Sequence, residues 1–290
     1  MIRSVLVAAL AGFPAGACAQ VVAQTPAPAP SAVPSPPSDT CSTGISAIIT
    51  RPTQTTSACV VKPNHVLIET GYQSQTVDVS GGSFTFQTVP SADVRAGTML
   101  KNLELDLFPP SAIRSAGVTA TSDAGASLKW QIHSTPWFAY GVNVSATAPT
   151  GSNALTNPNA LGSASASTYT YNLNVQGSLG KVFGYGGTFS VNELAMASPS
   201  GPTRYSSVLP SLDVTDTLPG AWTLFVEGYR QTHGEGPATP AHFWFDGGVT
   251  KDIGNAQLDV EYGVSNRVVP MPSTPGIRRH YIGAGLSYYF

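Results

Sequence analysis

Residues 280–290 end the chain on HYIGAGLSYYF, a period-two pattern that an extended strand satisfies and a helix does not. Ile282, Ala284, Leu286, Tyr288 and Phe290 fall on one face, and Tyr281, Gly283, Gly285, Ser287 and Tyr289 on the other. Such a strand suits the edge of a soluble sandwich or the wall of a barrel whose outside meets lipid. The rest of the chain has to decide between them.

The N-terminus favours export. Arg3 precedes an apolar run from Val5 to Phe13, and the small residues Ala17 and Ala19 frame a cleavage site before Gln20, so residues 1–19 are expected to be a signal peptide. A competing reading makes Cys18 the acylated first residue of a lipoprotein, although Ala15 stands where such signals usually carry Leu. No segment approaches the roughly 20 apolar residues that a spanning helix requires. In an exported chain the tail looks like the terminal strand by which outer-membrane β-barrels are recognised for assembly. Gly285, Tyr288 and Phe290 occupy the positions of that signal's Gly and two aromatics.

Residues 20–39 are dominated by Ala, Pro and Ser and are expected to form an extended linker, because they lack the apolar surface to fold. Residues 40–62 are expected to be a periplasmic N-terminal segment in which Cys41 and Cys59 form a disulfide. From residue 63 to 290 the chain breaks at Gly, Pro, Asn and Asp clusters into about twelve alternating segments. They run 64–79, 83–99, 102–112, 121–133, 136–148, 165–180, 183–196, 203–216, 221–233, 241–252, 256–268 and 278–290. Connections after even-numbered segments are short, and those after odd-numbered ones are mostly longer, above all 149–164 and 269–277. Short periplasmic turns, long external loops and an even strand count describe an all-β transmembrane antiparallel up-and-down barrel in the bacterial outer membrane, with its N-terminus in the periplasm.

Side-chain parity tests this independently, since a Lys or Arg facing mid-bilayer lipid costs about 2–4 kcal/mol. In the fourth segment Asp123, Ser127, Lys129 and Gln131 share one parity, and Ala126, Leu128, Trp130 and Ile132 the other. In the eleventh, Gln257, Asp259, Glu261 and Arg267 oppose Leu258, Val260, Tyr262 and Val264. Only 10% of residues are charged, against a usual ~25%, which fits a chain that must leave one whole face bare of charge. Outward Trp130, Phe138 and Trp222 fall near periplasmic ends and Tyr169, Tyr171, Phe243 and Phe245 towards external ends, as two aromatic belts would. Pro90 and Pro210 are discordant inside strands and are expected at external rims or bulges.

Several pieces in this register resemble an outer-membrane family named for the meta pathway of phenol degradation, a transporter family. They are Arg51-Pro52 with the Thr-rich run after it, PNHVLIETGY (63–72), VPSADVRAG (89–97), LKNLELDL (100–107), DAGASLKW (123–130), APTG (148–151), LFVEGY (224–229), FDGGVT (245–250) and YIGAGLSYYF (281–290), in order from about residue 50 to the end. The resemblance implies a barrel in the envelope and, less firmly, transport. Cys41, Cys59 and the Pro-rich leader lie outside that pattern.

Parity sends Glu69, Asp93, Arg95, Glu104, Asp106, Asp123, Lys129, Asp213, Glu227, Asp246, Asp259, Glu261 and Arg267 to the lumen. The acidic excess predicts a negative interior favouring cations and neutral solutes if the barrel conducts; the same charges would equally serve as a ladder that plugs a narrow lumen. The expected role is a channel or transporter for small solutes, aromatic or hydrophobic ones included. Its partners are expected to be outer-membrane lipid and lipopolysaccharide, the barrel assembly machinery and a small-molecule solute. A net charge of −2 gives nucleic acid no footprint. No cofactor is implied, and no His/Asp spacing supports a metal. The alternatives are a lipid hydrolase, for which His242 would have to meet a serine, and a structural or adhesive barrel.

Overall fold

A computed structural model describes residues 39–42, 44–79, 81–152, 166–179, 183–196, 203–233, 240–267 and 276–290. The expected signal peptide, Cys18, nearly all of the linker and most of the two longest external loops lie outside these residues.

The described residues form fourteen strands: β1 (Val66–Val79), β2 (Gly82–Gly97), β3 (Leu103–Phe108), β4 (Ala112–Ser115), β5 (Val118–Thr121), β6 (Ala124–Ser134), β7 (Phe138–Ala148), β8 (Ala166–Leu179), β9 (Phe183–Met196), β10 (Thr203–Leu218), β11 (Trp222–Gln231), β12 (His242–Ile253), β13 (Ala256–Ser265) and β14 (Arg278–Tyr289). β3 and β4 are two pieces of one rising strand and β5 and β6 two pieces of one descending strand: Phe108↔Gly125 and Ala112↔Thr121 belong to the same register, with Pro109 and Pro110 in the break. The wall therefore has twelve strands, each antiparallel to its neighbours, and the twelve segments read from the sequence coincide with them. Residues 113–120, which fall between two of the predicted segments, continue the third hairpin as β4 and β5.

Closure is made by the terminal strand. β14 pairs with β1 without interruption from Leu67↔Tyr289 to Asp78↔Arg278, and Phe290 N donates to Val66 O at 2.8 Å. His65 stacks on Tyr289 with ring centroids 4.9 Å apart, and its Nδ1 lies 2.7 Å from Phe290 O. Among the described residues the sheet closes on itself, so the strands pair their backbones within the wall, as hydrocarbon demands, except where the ladder between β2 and β3–β4 is interrupted. Tight periplasmic turns use left-handed residues such as Asn102 (φ 68°) and Gly254 (φ 62°).

Polarity is inverted relative to a soluble sheet. On β6, Ser127, Lys129 and Gln131 are buried, whereas Leu128 and Trp130 are 54% and 53% exposed. Trp130, Phe138, Tyr169, Tyr171, Trp222, Phe243, Phe245, Tyr288 and Phe290 all stand on the exposed outer surface. Among the described residues no helix is long and apolar enough to cross a membrane; the crossing elements are strands. Pro210 lies beside the end of the β10–β11 ladder, whose last pair is Ser211↔Tyr229, and Pro90 sits where β2 changes partners from β3 to β4.

The one clear departure concerns residues 40–62. Their described part is not a separate periplasmic segment but lies in the lumen, where Ile45, Ile48, Ile49, Ala58, Cys59 and Val61 cluster with the inward-facing Leu67 and Ala139. A wall lined with polar groups has no apolar core of its own, so this cluster supplies one.

Candidate functional site

The lumen segment begins at the β6–β7 turn, where Thr40 N donates to Thr135 O (2.9 Å) and Ser134 Oγ to Asp39 Oδ2 (2.8 Å). It rises, folds back and enters β1 after Pro63. The Cys41–Cys59 disulfide, Cα atoms 5.3 Å apart, ties its two limbs together. Two single-turn 3₁₀ helices, Thr40–Ser42 and Ile45–Ala47, leave most of its backbone unpaired within itself. Buried amides need partners, and inward side chains around the barrel provide them.

Glu69 on β1 accepts from Thr50 N (3.0 Å), Thr50 Oγ1 (2.8 Å) and Arg51 N (3.1 Å). Glu227 on β11 accepts from Gln54 N (2.7 Å), Thr55 N (2.6 Å) and Thr55 Oγ1 (2.5 Å). Thr188 Oγ1 on β9 accepts from Thr56 N, Gln176 on β8 from Ser57 Oγ and Ala58 N, Gln131 on β6 from Val60 N, and Glu104 on β3 from Val61 N. Arg51 reaches Asp259 on β13 at 3.3 Å. Its guanidinium occupies a notch made by the facing pair Gly71 and Gly285, where a Cβ on either residue would meet it at 2.5 Å. Gly141 accommodates the plug's backbone in the same way, a Cβ there lying 3.0 Å from Ala58 O.

The inward cations are spent on the wall and the plug. Arg95 bonds Glu69 (2.9 Å) and Glu104 (2.8 Å), lies 3.8 Å from Asp106, and donates to Ile48 O at 2.5 Å. Lys129 Nζ lies 3.9 Å from Glu104. These groups are essentially inaccessible to water, Lys129 and Glu104 at 0% exposure. A buried network of this kind adds little net stability when intact, yet removing one partner costs about 3–5 kcal/mol.

Of the other residues assigned to the lumen, Asp93 pairs across from Glu69 with one buried carboxylate oxygen lacking a hydrogen-bond partner, Asp213 and Asp246 flank Glu227 on the neighbouring strands, and these two and Glu261 are buried on the inner face. Asp123 and Arg267 differ. Asp123 precedes β6 and accepts from Gly151 N at 2.8 Å at the external rim. Arg267 lies past the end of β13, exposed, and with Asp78, Asn266 and Arg278 lines a rim cavity of about 680 Å³. Parity continues beyond a strand's last rung in sequence but not in space.

Above the plug the lumen has two unlike sides. Asn143, Asn174 and Thr188 on β7–β9 bond one another (2.8 and 3.1 Å), as do Thr170 and Asn192 (2.7 Å). Opposite, Tyr229 stacks on Trp244 (5.7 Å), Trp244 leans on Tyr281 (5.8 Å), and Tyr281 Oη donates to Asp246 at 2.9 Å. Val77, Phe84, Phe86, Ile113 and Ala120 share the inward parity of β1, β2, β4 and β5 and carry apolar surface towards the external end, interleaved with the inward Gln73, Gln75 and Thr88. The sequence reading found the inward charges but neither the plug nor this apolar side. Two signals pointed to the plug: the apolar run around Ile45, Ile48 and Ile49 between two cysteines, and glycines at inward strand positions.

A closed twelve-stranded wall with an apolar exterior, aromatic belts and a polar interior defines a transmembrane β-barrel of the outer-membrane type. The fold is similar to that of an outer-membrane channel from Pseudomonas putida F1, at 15% identity and a TM-score of 0.57 over 80% of this chain and 98% of that one. The NanC porin aligns with a TM-score of 0.49 and 10% identity, over 75% of this chain and 98% of its own. No protein-family model matches the chain. No curated protein matches it either.

Proposed function

We propose that this protein is an outer-membrane channel or transporter that admits small, hydrophobic or aromatic solutes from the cell exterior. The observation that carries this reading is the apolar side of the external lumen, formed by Val77, Phe84, Phe86, Ile113, Trp244 and Tyr281 inside an otherwise polar barrel. Inward aromatic and aliphatic side chains contribute nothing to closing the wall, and they offer apolar solutes a surface to leave water for. That surface is what a member of the phenol-degradation family would need, and it supports that finer assignment. The acidic residues have two tasks. Glu69, Glu104 and Glu227 hold the plug, while Asp213, Asp246 and Glu261, buried on the lumen face, favour cationic or neutral solutes over anions.

In this reading His65, His133 and His233 have structural roles. His65 holds the C-terminus, His133 packs on Phe138 and Tyr140, and His233 bonds Ser206 O at 3.1 Å. The outward belts suit a barrel surrounded by outer-membrane lipid and lipopolysaccharide, and in this reading Gly285, Tyr288 and Phe290 serve as the signal to the barrel assembly machinery. Uptake of a radiolabelled monocyclic aromatic by cells with and without the protein, together with conductance in planar bilayers, tests the proposal. Faster uptake supports it. Unchanged uptake together with lipid hydrolysis rejects it.

A further inference from the structure

The wall has one place where its ladder is missing. Between β2 and the third strand, Val89↔Ala112 is the last pair above and Val94↔Leu107 the first below, so residues 90–93 and 108–111 face each other without a rung. Three prolines, Pro90, Pro109 and Pro110, lie in that interval. Proline has no N–H, so these positions leave no donor stranded in hydrocarbon, the group a membrane punishes most heavily. On its other side β2 slips register against β1 at the same height, between Gly71 and Gln73.

Height and surroundings give the gap a purpose. Residues 90–93 lie four to seven positions above the periplasmic end of β2, roughly 10–18 Å along the axis of a barrel whose strands tilt about 40°. That is inside the apolar band, where outward Leu105 and Leu107 border it. On the inner side Gln73 and Thr88 stand directly above, followed by a vestibule in which Val77, Phe84, Phe86 and Ile113 supply the apolar surface, and the plug lies towards the periplasm. Straight on, a solute meets Glu69, Arg95, Glu104 and Lys129, each at 1% exposure or less. An apolar solute has no favourable way through that network, and a short way sideways.

We propose that apolar solutes leave the vestibule laterally, through this seam between β2 and β3–β4, into the hydrocarbon of the outer membrane while the plug stays seated. The proposal rests on the transport reading above and specifies its route. Ala92 and Pro109 face each other across the seam in the register that flanks it, both on the outer side. In Ala92→Cys/Pro109→Cys protein a short bifunctional maleimide would join the seam; in Val214→Cys/Val226→Cys protein it would join an intact pair on β10–β11. Uptake of radiolabelled benzene by intact cells is compared for joined and unjoined protein, with folding checked by heat-modifiable gel migration. Loss of uptake in the joined seam, with uptake kept in the joined control, is the expected result. Pro109→Ala/Pro110→Ala, which restores two N–H donors, should slow uptake in the same direction. Equal uptake through joined and unjoined seams overturns the lateral route and leaves transport intact. Absence of uptake by the unsubstituted protein overturns the transport reading and this proposal with it.

Discussion

Arg51 shows how much a single position decides. Its guanidinium stays in the wall only because residues 71 and 285, opposite one another on β1 and β14, are both glycine. Gly71→Val should expel it, break the contact with Asp259 and destabilise the seated plug by about 1–3 kcal/mol, the usual range for overpacking. Gly82→Val, where a new side chain meets nothing within 4 Å, should be silent. Conductance traces check both, as more frequent openings in the first variant and none in the second. Glu227→Gln removes the charge from a carboxylate that accepts three hydrogen bonds from Gln54 and Thr55. Bonds to charged groups are worth about 1.5–3 kcal/mol each, so amide exchange at residues 54 and 55 should accelerate while the strand amides keep their protection. The inward parity of Glu227 was legible in the sequence. Its task was not, because alternation tells which way a side chain points and is silent on what it meets there.

At the scale of elements, the strands and the plug are separable. Every rung of the wall among the described residues, including the closing β1–β14 ladder, joins strand to strand, and none is made by the described part of 40–61. A chain lacking residues 40–61 should therefore still form a heat-modifiable barrel and conduct far more than the full chain, as planar bilayers would show. Cys41→Ser/Cys59→Ser is the milder test. Opening a loop of this size releases about 3 kcal/mol of constraint, which should raise the fraction of time the channel is open without shifting barrel migration. The strands were readable because period-two alternation bounded by turn residues is a local signal. The plug was not, because its contacts are non-local, from 18 positions apart for Arg51 with Glu69 to 172 for Thr55 with Glu227.

At the scale of the whole molecule, charge distribution sets the selectivity of any ion current. With Asp213, Asp246 and Glu261 buried on the lumen face of β10, β12 and β13, a reversal potential measured in a salt gradient should show cation preference, more strongly in the chain without its plug, where these carboxylates would meet water. Anion preference would mean that Arg95 and Lys129 dominate the field. The sequence by itself determined the barrel. Export, strand number, facing and closure all follow from hydrophobic periodicity and from lipid's intolerance of unpaired backbone and charge. Only the tertiary structure decided that residues 40–62 occupy the lumen, that the carboxylates hold them there, and that three prolines on neighbouring strands meet at one seam. Those facts depend on which residues the closed wall brings together across its interior, a distance that local periodicity does not encode.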